Sequence, residues 1–148
     1  MSEPIVVLLV EDDEAHAEIV RRNLLANRLT NPLIHVSDGE AALDYLYRRN
    51  RFSNPTTSPR PGLVVLDLRL PKVDGLEVLR IIKADPKLLA IPVVILTTSN
   101  SEEDKQKAYA AHANSYLVKP VHFPQFKKLM ESLGYYWLAS NAPPHEQE

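Results

Sequence analysis

Apolar positions along the chain gather into short unbroken runs separated by longer amphipathic stretches. Ile5–Val10, Leu63–Leu66 and Val93–Leu96 are continuous, Tyr116–Val118 is weaker, and Leu33–Val36 is a fifth run interrupted by His35. Continuous rather than alternating hydrophobicity means burial on both faces, as in a parallel sheet covered by helices. Between the runs the spacing turns helical. Ala17, Val20 and Leu24 share one face, as do Leu43, Leu46 and Tyr47 after the turn at Ser37-Asp38-Gly39. Val78, Leu79 and Ile82 follow Asp74-Gly75, and Phe126, Leu129, Met130 and Leu133 form the clearest stripe. The stretch Ser101–His112 is polar with a thin alanine face; Ser99 or Ser101 can cap it, with Glu102, Glu103 and Asp104 favourable in its first turn. The order is strand then helix, repeated five times. It predicts an α/β fold, a five-stranded parallel sheet with helices on both faces and right-handed crossovers. The segment Arg49–Pro61, with Pro55, Pro59 and Pro61, predicts a surface loop before the third strand.

Composition narrows the function. The length of 148 residues suits one domain, and cysteine is absent. That removes disulfides, thiol catalysis and cysteine zinc sites, and fits a reducing cytoplasm. A formal net charge of -2 argues against a general nucleic-acid binder. The four glycines, Gly39, Gly62, Gly75 and Gly134, leave no material for a glycine-rich phosphate loop. The first apolar run is too short for a signal peptide or a membrane span. His16, His35, His112, His122 and His145 show no metal-ligand spacing and read as surface or core residues. The basic runs Arg48-Arg49 with Arg51, and Lys127-Lys128, read as solvated helix faces.

In an open α/β sheet, ligands bind at the carboxyl ends of the strands. Those ends carry Glu11-Asp12-Asp13, Asp67, Thr97-Thr98-Ser99 and Lys119-Pro120. Taken singly, each has an ordinary explanation: acids at a helix start, a turn residue, a capping loop, a surface lysine. Taken together they gather carboxylates, a hydroxyl and an ammonium at one edge. Two carboxylates about 4 Å apart repel by roughly 4 kcal/mol at an effective dielectric of about 20, so they protonate or hold a cation. Hard oxygen ligands favour Mg²⁺, which keeps waters for an incoming phosphate. A metal-bound aspartate can then act as nucleophile toward a phosphoryl group, with Thr97 and Lys119 placed to hold its oxygens.

Leu8-Leu9-Val10-Glu11-Asp12-Asp13, Val64 to Gly75 (VVLDLRLPKVDG), Val93 to Thr98 (VVILTT) and Tyr116-Leu117-Val118-Lys119-Pro120 resemble, in that order, the receiver domain of two-component response regulators. The resemblance covers residues 5–133 and implies a flavodoxin-like strand order, 2-1-3-4-5. It implies that Asp67 accepts a phosphoryl group from a histidine kinase. Asp12, Asp67 and the backbone carbonyl of Arg69 would bind Mg²⁺, and Glu11 would reach it through water. Thr97 would move toward the phosphoryl group, Tyr116 would turn inward with it, and Lys119 would hold a phosphoryl oxygen. The Lys119–Pro120 bond would be cis. Ser99 and Arg69 occupy positions thought to tune the lifetime of the phosphoryl group. The chain would be a phosphoacceptor rather than an enzyme acting on a separate substrate, signalling through protein contacts.

The Pro-rich loop and the ending Gly134-Tyr135-Tyr136-Trp137-Leu138 are similar to stand-alone regulators paired with bacterial phytochromes, the red-light-sensing histidine kinases. Residues 134–148 read as an aromatic extension followed by a disordered tail, with no room for an output domain. Phe126, Leu133, Tyr136 and Trp137 are the expected surface of a homodimer. Two rival readings come from other classes. An aspartyl phosphatase commonly has a second aspartate where this chain has Arg69. A phosphate-independent receiver-like interaction module has no need of Asp12, Asp67, Thr97 and Lys119 together.

Overall fold

The apolar runs become the strands β1 (Val7–Val10), β2 (Leu33–Val36), β3 (Leu63–Leu66), β4 (Val93–Thr97) and β5 (Ser115–Val118) in a computed structural model of the chain, which describes residues 5–26 and 31–133. They form one parallel sheet in the order β2-β1-β3-β4-β5, as expected. Every residue of β1, β3 and β4 is buried, whereas the edge strands β2 and β5 are mostly half-buried. That difference explains why the edge strands carry the weaker apolar signal.

The helices are α1 (Glu14–Ala26), α2 (Gly39–Leu46), α3 (Gly75–Ala84), α4 (Glu102–Ala110) and α5 (Phe123–Leu133). Successive strand residues point to opposite faces, so each central strand feeds two cores. Leu8, Val10, Val64, Leu66, Val93 and Ile95 pack against α2, α3 and α4 through residues such as Leu46, Leu79, Ile82 and Ala108. Val7, Leu9, Leu63, Val65, Val94 and Leu96 pack against α1 and α5 through Ala17, Val20, Phe126 and Met130. Short polar side chains start the helices. Asp13 accepts from the N–H groups of Ala15 (2.9 Å) and His16 (3.1 Å), and Asp38 from Ala41 (2.7 Å). Asp74 accepts from Leu76 (3.3 Å), and Ser101, not Ser99, caps α4 through Asp104 N–H (3.2 Å).

Two expectations need correction. The segment Arg49–Pro61 is not surface throughout. It holds a 3-10 turn at Asn50–Phe52, and Ser58 and Pro61 are buried. The Tyr45 ring is buried in α2, and its hydroxyl finds a partner by donating to the Pro59 carbonyl at 2.7 Å. Phe52 packs edge-on against the same ring at 5.2 Å, and Arg48 Nε donates to the Ser58 carbonyl at 3.2 Å. Phe126, expected on a dimer surface, is only 3% exposed and fills the α1–α5 core of its own chain. The stripe that marked it is the face α5 turns to the sheet. The Leu133 side chain, Tyr136, Trp137 and the predicted tail lie outside the described residues.

Candidate functional site

Parallel register sets the site. Val10 is level with Leu66 across β1 and β3, and Thr97 with Val118 across β4 and β5. The backbone ladder runs just past the strand ends. Glu11 N–H donates to Val36 O at 3.0 Å, Asp67 N–H to Val10 O at 3.1 Å, and Lys119 N–H to Thr97 O at 2.7 Å. Glu11, Asp67 and Lys119 therefore emerge side by side although far apart in sequence. The loop after Asp67 is closely packed. Its Oδ1 accepts the Arg69 N–H at 3.2 Å, and Gly75 N–H donates to Leu68 O at 3.0 Å. A Cβ at Gly75 would lie 2.1 Å from the Asp67 carbonyl oxygen, so only glycine lets α3 approach the acceptor this closely.

The centre of the site is charged and nearly dry. Lys119 is 5% exposed, Glu11 2% and Asp67 6%. The Lys119 ammonium lies 2.5 Å from Glu11 Oε1 and 2.9 Å from Asp67 Oδ2. Burial pushes the Glu11 carboxyl up to about 7, against the opposing pull of Lys119. Asp12 is exposed at the mouth. One carboxylate oxygen from each of Glu11, Asp12 and Asp67 falls within 4.8 Å of the others. Three acids against one ammonium leave room for a cation, and an all-oxygen donor set suits a hard divalent one. Asp13 stands apart from this cluster. It caps α1, and its own carboxyl is held low by the His16 N–H it accepts.

A second group of contacts lines the rim. Thr97 is fully buried, and its Oγ1 accepts the Ser99 N–H at 3.4 Å. Ser99 Oγ donates to Asp104 Oδ2 at 2.5 Å, and Arg69 Nη2 donates to the same oxygen at 2.7 Å. Tyr116 is half-buried and donates to the Ser99 carbonyl at 2.9 Å. Hydrogen bonds thus run from Asp67 through Arg69, Asp104 and Ser99 to Tyr116.

The structure brings Glu11, Asp12, Asp67, Thr97 and Lys119 to one edge, with Arg69 and Tyr116 beside them. Against expectation, the Lys119–Pro120 bond is trans. A trans X–Pro bond is favoured by about 0.5–1 kcal/mol, and here Lys119 N–H still extends the β4–β5 ladder. His16, read as a surface or core residue, meets Lys119 Nζ through its Nδ1 at 3.0 Å. The available signal was its place on the first turn of α1, just after the Asp13 cap. The reach of the Arg69 side chain to Asp104, 35 positions on, had no local signal.

A five-stranded parallel sheet in this order, with acids after β1 and β3 and a lysine after β5, defines a two-component receiver fold. The chain belongs to the response regulator receiver domain family, which matches residues 7–131. It is 46% identical over 142 residues to a probable methanogenesis regulatory protein, FilR2, of Methanothrix harundinacea, covering 96% of this chain and 89% of that one. Response regulator Rcp1 of Synechocystis is 41% identical over 95% of this chain and 94% of its own. The Mn²⁺-bound structure of Rcp1 superposes with a TM-score of 0.90 at 40% identity, covering 95% and 99% of the two chains. The phosphorylated cyanobacterial phytochrome response regulator RcpA also gives 0.90, at 35% identity and coverages of 96% and 99%. Among the described residues, no helix is long and apolar enough to cross a membrane.

Proposed function

We propose that this protein is a response regulator that takes a phosphoryl group on Asp67 from the phosphohistidine of a histidine kinase. The observation that carries this reading is the Asp67 carboxylate, sharing its pocket with Lys119 and with two further acids close enough to hold one cation. Mg²⁺, bound by Asp12, Asp67 and the Arg69 carbonyl with Glu11 through water, would neutralise charge on the transferring group. An Asp67 oxygen attacks phosphorus, a P–O bond forms, the P–N bond to the kinase histidine breaks, and the imidazole leaves as the neutral base after taking a proton. Lys119 then pairs with a phosphoryl oxygen, and the Thr97 hydroxyl donates to another. Asp67 exchanges its single negative charge for a phosphoryl group carrying about -1.5 to -2, and this added charge, with the new acceptor oxygens, draws on Arg69 and Thr97, shifting the rim toward Tyr116.

The likeness to RcpA, a phytochrome response regulator, supports a phytochrome as the kinase, and a cytoplasmic setting belongs to the same reading. Homodimerisation through α5 and the aromatic segment after it belongs to the same reading. Sedimentation of a chain cut after Leu133 tests it: a full-length chain that sediments as a folded monomer, with the coefficient of the cut chain after correction for mass, would exclude it.

Intact-protein mass after incubation with acetyl phosphate tests the central claim. One phosphoryl adduct is expected with Mg²⁺, none without it, and none in Asp67→Asn. No adduct on a folded wild-type chain would instead favour the phosphate-independent interaction module.

A further inference from the structure

A lysine ammonium has three donors and no acceptor. At Lys119 two donors are directed to Glu11 and Asp67, and the third meets His16 Nδ1 at 3.0 Å. Since an ammonium can only donate, Nδ1 is the acceptor, and the neutral ring carries its proton on Nε2. Burial and the Lys119 charge both hold the His16 pKa below its usual value, in keeping with that tautomer. The ring is fixed by its surroundings. Its backbone N–H is bound by the Asp13 cap, and Phe126 of α5 packs against it at 5.6 Å.

The three partners of Lys119 differ in one respect. Glu11 and Asp67 belong to the acid cluster that a divalent cation would engage, and His16 does not. A cation entering the cluster competes with the ammonium for both carboxylates, while the imidazole stays with the lysine. We propose that His16 is a positioning residue for phosphoryl transfer: its neutral imidazole holds Lys119 over Asp67 when metal takes the carboxylates, and couples that lysine to α5 through Phe126. The proposal rests on the reading of Asp67 as phosphoacceptor.

The test compares wild type, His16→Leu and His16→Asn, each shown to be folded by circular dichroism. Asparagine can present an acceptor oxygen near the position of Nδ1; leucine cannot. Adduct formation from acetyl phosphate at saturating Mg²⁺ is expected to slow about tenfold or more in His16→Leu and to recover most of that loss in His16→Asn. Calorimetric Mg²⁺ affinity is expected to stay the same in all three. Nitrogen NMR of the metal-loaded wild type reads the proposal without any variant: His16 Nδ1 is expected unprotonated and Nε2 protonated. A wild-type rate in His16→Leu, no recovery in His16→Asn, or a protonated Nδ1 would overturn the role of His16 and leave the phosphoacceptor reading standing. Wild type that gains no adduct on Asp67 would instead remove the reading on which the role depends.

Discussion

Helices α3 and α4 lie next to each other on one face of the sheet, and each follows a strand that delivers a site residue. They are held there by different forces. α3 buries Gly75, Val78, Leu79 and Ile82, so apolar packing fixes it beside Asp67. α4 buries only Ala108. Its remaining ties are polar or exposed: the Ser101 cap, Asp104 to Ser99 and Arg69, and Tyr109 against Tyr116 at 6.5 Å. A helix with little buried apolar surface opens and shifts at lower cost than one built into the core. The division of labour is physical. α3 keeps the acceptor in place, and α4 is free to respond through contacts that begin one residue pair away from it.

The largest effect that sharpens this contrast comes from α3. Ile82→Ala is expected to cost about 2–5 kcal/mol in urea unfolding, because Ile82 is fully buried against the central strands. A cost below about 1 kcal/mol would show that α3 packs no better than α4. Next comes the pocket beside the α3 start. The folded chain holds the Glu11 proton more tightly than the unfolded one, with a pKa of about 7 against 4.5. The resulting stability is full below about 4.5 and lost as pH rises through about 7. Metal-free protein should therefore lose on the order of a few kcal/mol across that window, and Glu11→Gln should flatten the profile. Equal slopes for the two proteins would exclude this.

Gly75→Ala should follow, at about 1–3 kcal/mol, with slower acetyl phosphate labelling because the Asp67 carbonyl must move. Unchanged stability and labelling would mean that α3 can retreat freely. The smallest thermodynamic effect belongs to α4. Asp104→Asn should cost no more than about 1 kcal/mol, since Arg69 is largely exposed. Hydrogen exchange should nevertheless quicken across α4 and remain unchanged across α3. Equal quickening in both helices would break the comparison.

The same contrast decides what could be read from the chain. β1, β3 and β4 are buried on both faces, and their uninterrupted apolar runs announce it; α3 follows from the same logic. Glu11, Asp12, Asp67, Thr97 and Lys119 were legible because each follows or ends a recognisable strand. Tertiary proximity, by contrast, leaves little trace in local pattern. His16 has no metal-ligand spacing around it, and its partner is a lysine 103 positions away. Phe126 belongs to an apolar stripe whose direction, inward or toward a second copy, periodicity does not specify. The proline cluster before β3 looked solvated because nothing local says that a Tyr45 hydroxyl lies beneath it.

That phenol bears on where the chain can be cut and extended. A long connection rich in proline and threonine is the usual place to splice in a reporter. Here the tolerant point is narrow. Thr56 and Thr57 are exposed at the tip of a turn closed by Thr57 N–H on Asn54 O at 3.2 Å, whereas Ser58 is already interior. A tag inserted between the two threonines leaves α2 fastened to the Pro59 carbonyl; inserted between Ser58 and Pro59, it would open the core like a wedge.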